Sequence, residues 1–235
     1  MSSVITHPAV DAVVLGEGVM GGEITIKLTL AGYKVVGIEK GPYWDYPTDF
    51  AITKYDEYGI QIMRKNDHPL AMSTVTLRNN STQFALPVRR NSNGQATSSG
   101  HGVGGAAHHY GAQFGRYEPW TYAIHSNTVS KYGQAFLDAA NPNDDTIDFP
   151  NTYDDYLPYY QDFEMGWGVS GTNQEPNCPS STYPMPPHPQ TAVSATFQAA
   201  AESLGITNWA APSAIASQPY TNQYGVQVNA CVYDG

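Results

Sequence analysis

Basic residues are scarce in this sequence: 11 Lys and Arg stand against 21 Asp and Glu, a formal net charge of −10. Nucleic-acid binding needs a basic face to neutralise phosphates, so this balance argues against DNA or RNA as a partner. Cysteine is scarcer still. Cys178 and Cys231 are the only two, which excludes a disulfide framework and any Cys-x-x-Cys pair, while a single bridge between them stays open. No run of 18 apolar residues occurs, so no segment reads as a membrane span. The start, MSSVITHPAV, lacks the basic residues and apolar stretch of an export signal. No His pair has metal-ligand spacing backed by acids or cysteines, and no metal is expected.

Glycine, proline and tyrosine are abundant, at 22, 17 and 17 residues. With 41% hydrophobic residues the chain is globular, and its Gly and Pro predict ordered loops more than long helices. Residues 11–15 (DAVVL) read as a buried parallel strand, residues 21–31 as a helix stopped by Gly32, and residues 34–38 (KVVGI) as a second strand. Residues 72–78 and 83–89 alternate like strands, with Asn79-Asn80 as a turn between them. Later, residues 153–168 read as an amphipathic helix with Pro158 near its start. Residues 191–204 read as another helix, ending at Gly205.

Between the first strand and helix stands Gly16-Glu17-Gly18-Val19-Met20-Gly21, a GxGxxG in its expected setting. In such a turn Gly16 permits the tight bend, Gly18 lets backbone approach a pyrophosphate, and Gly21 lets helix and strand pack closely. The uncompensated N–H groups and positive end of the helix then face the phosphates. Glu39 ends the second strand at roughly the 20-residue spacing of the acid that takes ribose hydroxyls, and an acid there disfavours a 2′-phosphate. Two details fit less well. Glu17 brings a carboxylate into an anion-binding loop, a like-charge penalty unless its side chain turns away, and Thr25 and Thr29 stand where alanines would pack best.

The βαβ fingerprint alone does not choose between NAD and FAD. The stretch 16–41, taken with GHGVGGAAHHYGAQFGRYEPWTY at 100–122, resembles the glucose–methanol–choline (GMC) oxidoreductases, and within them the flavoprotein subunits of FAD-dependent sugar dehydrogenases. Residues 76–79 (TLRN), 86–90 (LPVRR), 157–160 (LPYY), 168–171 (GVSG) and 220–226 extend the likeness along most of the chain. The resemblance implies FAD as cofactor, bound by Gly16, Gly18, Gly21 and Glu39 and then by Gly102, Gly104, Gly105 and His109 of a second glycine loop. In some members a His matching His109 is covalently joined to the flavin. The family oxidises CH–OH groups of alcohols or sugars by hydride transfer to flavin N5, and some relatives work at the periplasmic face with a small subunit and a cytochrome subunit.

The resemblance also implies limits. The family's catalytic His with a second His or Asn belongs to a later segment, so no catalytic residue is expected here and the chain reads as an N-terminal portion. Cys231 stands where some sugar dehydrogenases begin an iron–sulfur cluster, but one thiolate cannot hold one. The expected fold is α/β: a Rossmann-like FAD-binding domain with a mostly parallel central sheet over 1–125, and a loop-rich, partly helical extension over 126–235. Two other readings compete: a NAD-dependent dehydrogenase, which residues after Glu39 do not support, and a dinucleotide-binding protein without catalysis.

Overall fold

The computed structural model describes residues 8–45, 102–108, 110–142 and 146–231, together with the backbone of 75–77 and 86–88. The chain divides into two compact units, Met1–Gly111 and Ala112–Gly235.

In the first unit, β1 (Ala12–Leu15) pairs in parallel with β2 (Val35–Ile38), in the register Ala12↔Val35 to Leu15↔Ile38. Helix α1 (Val19–Leu30) makes the crossover. The Asp11 carboxylate accepts the Lys34 N–H at 2.8 Å and pins the starts of both strands. Gly32 stops the helix in the left-handed region, at φ +92°, where a Cβ would be strained. A second pair, β3 (Val75–Leu77) and β4 (Leu86–Val88), runs antiparallel and is shorter than the runs of alternation that predict it. The turn expected at Asn79-Asn80 lies outside the described residues. The described part of this unit is therefore mixed helix and strand with a small parallel sheet.

The second unit is mostly helix and loop. A 3-10 turn, Pro119–Ala123, leads into α2 (Ile124–Tyr132), and Gly133 at φ +83° separates α2 from α3 (Gln134–Ala140). Helix α4 (Tyr153–Trp167) begins with a capping box: the Thr152 hydroxyl accepts the Asp155 N–H, and the Asp155 carboxylate accepts the Thr152 N–H. It runs through Pro158 and ends at Gly168 in the left-handed conformation. Helix α5 (Ala192–Ser203) is capped by Thr191. Strands β5 (Tyr220–Thr221) and β6 (Gln227–Val228) form a short hairpin. The core lies just beyond α4, where Ser170 bridges to both Met185 and Ser213 and Val169, Ser170 and Met185 are buried.

Candidate dinucleotide site

The site grows from the junction of β1 and α1. Gly16 takes φ +88°, a conformation costly for any residue with a Cβ, and this turns the chain sharply out of the strand. A Cβ on Gly21 would overlap the carbonyl oxygen of Gly16, so the helix can lie this close to the turn only with glycine there. Gly18 is different: it has extended backbone, and a Cβ on it would meet nothing. The surface above Gly18 is open. Among the described residues no side chain caps α1, and no acid stands in its first turn, which leaves its first N–H groups available to a ligand. An open glycine turn facing an uncapped helix start is a fitting cradle for a phosphate group.

The second glycine loop comes against this turn. The Gly104 N–H donates to the Glu17 carbonyl at 2.7 Å, and Gly18 and Gly104 form a parallel bridge. Gly105 begins a 3-10 turn, Gly105–His108, with its Cα so near Gly18 that an added Cβ would stand 3.1 Å from the Gly18 Cα. Gly102, at φ +106°, lies under Trp44 and the Pro42 carbonyl, which leave no room for a side chain. The two loops, far apart in sequence, thus share one surface.

Glu39 ties them together. Its carboxylate accepts N–H groups from Glu17 at 2.9 Å, Gly41 at 2.9 Å and Gly102 at 3.3 Å. Burial acts to raise its pKa, but the N–H donors of Gly41, Glu17, Gly102 and Lys40 outweigh it and hold the carboxyl below its usual range. The acid is therefore ionised at neutral pH and fixed beside the turn. Three hydrogen bonds fall on a carboxylate with roughly four lone-pair sites, and the Lys40 N–H also acts on it, so a ribose hydroxyl would share Glu39 with the backbone.

Glu17 does turn away from the anion-binding face. Its carboxylate accepts the Thr25 hydroxyl at 3.0 Å and lies over Gly37, where a Cβ would collide with it. Thr25 is the partner of the unusual acid, and Gly37 makes the space for it. The Thr29 hydroxyl donates to the Thr25 carbonyl at 2.7 Å and so asks nothing of its neighbours. Seven of the eight residues expected at the site are therefore seen, and they form one cluster. His109 lies outside the described residues.

No family model matches the chain. Curated relatives do. It is 34% identical to the gluconate 2-dehydrogenase flavoprotein of Pantoea cypripedii, a match that covers 96% of this chain and 38% of that protein. A 2-methyl-1,2-propanediol dehydrogenase of Mycolicibacterium austroafricanum is 28% identical, over 89% of this chain and 34% of its own length. The fructose dehydrogenase large subunit of Gluconobacter japonicus is also 28% identical, over 89% and 37%. Over this stretch the chain resembles the GMC-type flavoproteins, to which all three relatives belong. It spans a little over a third of the length of the relatives it matches.

The sequence concealed one further cluster, in the second unit. Arg116 is buried and donates through Nε and a terminal nitrogen to both carboxylate oxygens of buried Glu164, at 2.7 and 2.6 Å. Its other terminal nitrogen donates to the Tyr153 hydroxyl at 3.0 Å, which in turn donates to the Pro179 carbonyl. The rings of Tyr160 and Tyr183 flank the guanidinium at 5.5 and 5.6 Å. Burial acts to lower the Arg116 pKa, but its bonds to Glu164 and Tyr153 outweigh this and keep it charged. Three hydrogen bonds from the guanidinium hold the cluster together and brace the start of the unit against α4. The two cysteines are free, Cys178 buried and Cys231 exposed. Among the described residues no group of His, Cys, Asp and Glu could hold a metal ion, and no helix is long and apolar enough to cross a membrane.

Proposed function

We propose that this chain is the FAD-binding part of an oxidoreductase that acts on CH–OH groups of alcohols or sugars. The observation that carries this is the meeting of the two glycine loops at Glu39, beside an open turn and an uncapped helix start. The names of its relatives, one a flavoprotein and the others sugar or diol dehydrogenases, support the same reading. The first unit is then a Rossmann-like FAD domain.

In this reading the pyrophosphate lies over Gly16, Gly18 and Gly21, while Glu39 takes a ribose hydroxyl. Gly102, Gly104 and Gly105 support the turn from the second loop. His109 is the residue that the resemblance assigns to the flavin, with a covalent bond to its 8α-methyl group in some members. When bound, the flavin supplies the hydride-accepting N5, while protein groups bind and orient it. The words flavoprotein and large subunit in the relatives' names fit an assembly with further subunits, here a small subunit and a cytochrome subunit at the periplasmic face.

A visible spectrum of the purified protein, before and after incubation with FAD, tests the proposal. Flavin bands that remain after gel filtration are expected; a colourless protein after incubation would overturn it. Denaturation tests separately whether His109 is covalently joined to the flavin: colour that stays with the wild-type polypeptide and leaves it in His109→Ala shows the bond, and colour released from both shows that there is none.

A further inference from the structure

The loop that carries Gly102, Gly104 and Gly105 continues to half-buried Tyr110, and its hydroxyl is unlike those of the buried tyrosines. Tyr122, Tyr153 and Tyr183 each place the hydroxyl on a partner: Tyr160, the Pro179 carbonyl and Glu175. The Tyr110 hydroxyl is shielded from solvent, yet no described residue gives it a hydrogen-bond partner. A buried hydroxyl without a partner is costly, by enough that native structures seldom keep one without a use for it. Burial also pushes its pKa up, so at any working pH it keeps its proton and is a donor.

Its place along the loop says what it could serve. Gly102 donates to Glu39, at the ribose end of the site. Gly104 and Gly105 then cross the Glu17–Gly18 turn, where the pyrophosphate would lie. The loop therefore follows the dinucleotide from ribose to pyrophosphate, and Tyr110 comes next, after the 3-10 turn Gly105–His108. We infer that the Tyr110 hydroxyl donates a hydrogen bond to an acceptor on the flavin half of bound FAD. This rests on the FAD reading above. The flavin half, with its ring carbonyls and nitrogens, is rich in acceptors. The ADP half is already served by Glu39 and the glycine turn. Tyr110 is thus a binding residue whose partner arrives with the cofactor.

The test compares wild type with Tyr110→Phe, titrated with FAD and, separately, with ADP. Phe keeps the ring and removes only the hydroxyl. Tyr110→Phe should bind FAD about tenfold more weakly, the effect of one lost hydrogen bond, and bind ADP as wild type does. The thermal midpoint of the cofactor-free variant should be no lower than that of wild type, because no protein hydrogen bond is lost. Equal FAD affinity in the two proteins overturns the inference and leaves the FAD reading intact. An equal loss for FAD and ADP, or a lowered midpoint without cofactor, also overturns it, by placing the hydroxyl on the ADP half or on the protein. Failure of wild type to bind FAD removes the reading beneath it, and the inference with it.

Discussion

Glycine serves two separate purposes within the turn after β1, and single substitutions can tell them apart. At Gly21 the need is internal, because a methyl group would occupy the place of the Gly16 carbonyl oxygen. Gly21→Ala should cost roughly 3 kcal/mol of stability, read from a urea midpoint, since overpacked backbone cannot yield as a side chain can. At Gly18 the need is external. A methyl group there meets nothing in the protein, so Gly18→Ala should leave the urea midpoint unchanged while weakening FAD at least tenfold, as the methyl stands where a phosphate would. A Gly18→Ala protein that binds FAD normally would place the pyrophosphate elsewhere. Glu39 makes a third prediction at this scale. Its folded pKa lies below the unfolded value of about 4.3, so between the two the folded protein binds fewer protons than the unfolded chain. The carboxylate's contribution is complete above the unfolded value and is lost as pH falls through the folded one. Glu39→Gln should therefore flatten the acid limb of a stability–pH profile while also lowering stability at neutral pH; a variant whose acid limb is as steep as wild type contradicts this assignment.

At the scale of elements, what was legible in the sequence was what is local. β-branched runs marked β1 and β2, Gly32 marked the end of α1, and Gly205 marked the end of α5, each within a few residues of the feature it sets. The glycines of both loops were legible as a motif, but not their meeting, since the Gly102 N–H reaches a carboxylate 63 positions earlier. Glu17 looked like a flaw because its answer, Thr25 and Gly37, sits on two other elements. Arg116 gave no signal at all: its partner Glu164 is 48 residues away and looks like any helical acid in the sequence. That pair is open to test. Arg116→Ala leaves the Glu164 carboxylate buried without its cation and should cost about 3–5 kcal/mol. Arg116→Met combined with Glu164→Leu removes both charges and should recover most of that loss in a urea titration. If the double variant is as unstable as the single one, the remaining groups around the pair, Tyr153 and Tyr183, matter more than the charges.

For the whole molecule, the dinucleotide residues all belong to Met1–Gly111 and the buried ion pair to Ala112–Gly235. A ligand that binds only folded protein stabilises it by an amount set by its concentration over Kd, about 2.7 kcal/mol at a hundredfold excess. Where that stabilisation is felt depends on which part of the chain must stay closed for the ligand to bind, and hydrogen exchange reads this segment by segment. FAD at such an excess should slow exchange most in peptides from β1, α1 and β2 and from residues 102–108, because the turn, the helix start and Glu39 must all be in place to hold it. Arg116→Ala should do the reverse in another place, speeding exchange in α4 and the segment around Arg116, whose order depends on the ion pair. The two perturbations have separate signatures, so each controls for the other: a general loss of structure would speed both sets of peptides together. Strong protection of α4 by FAD, with none at residues 12–38, would move the cofactor away from the glycine loops.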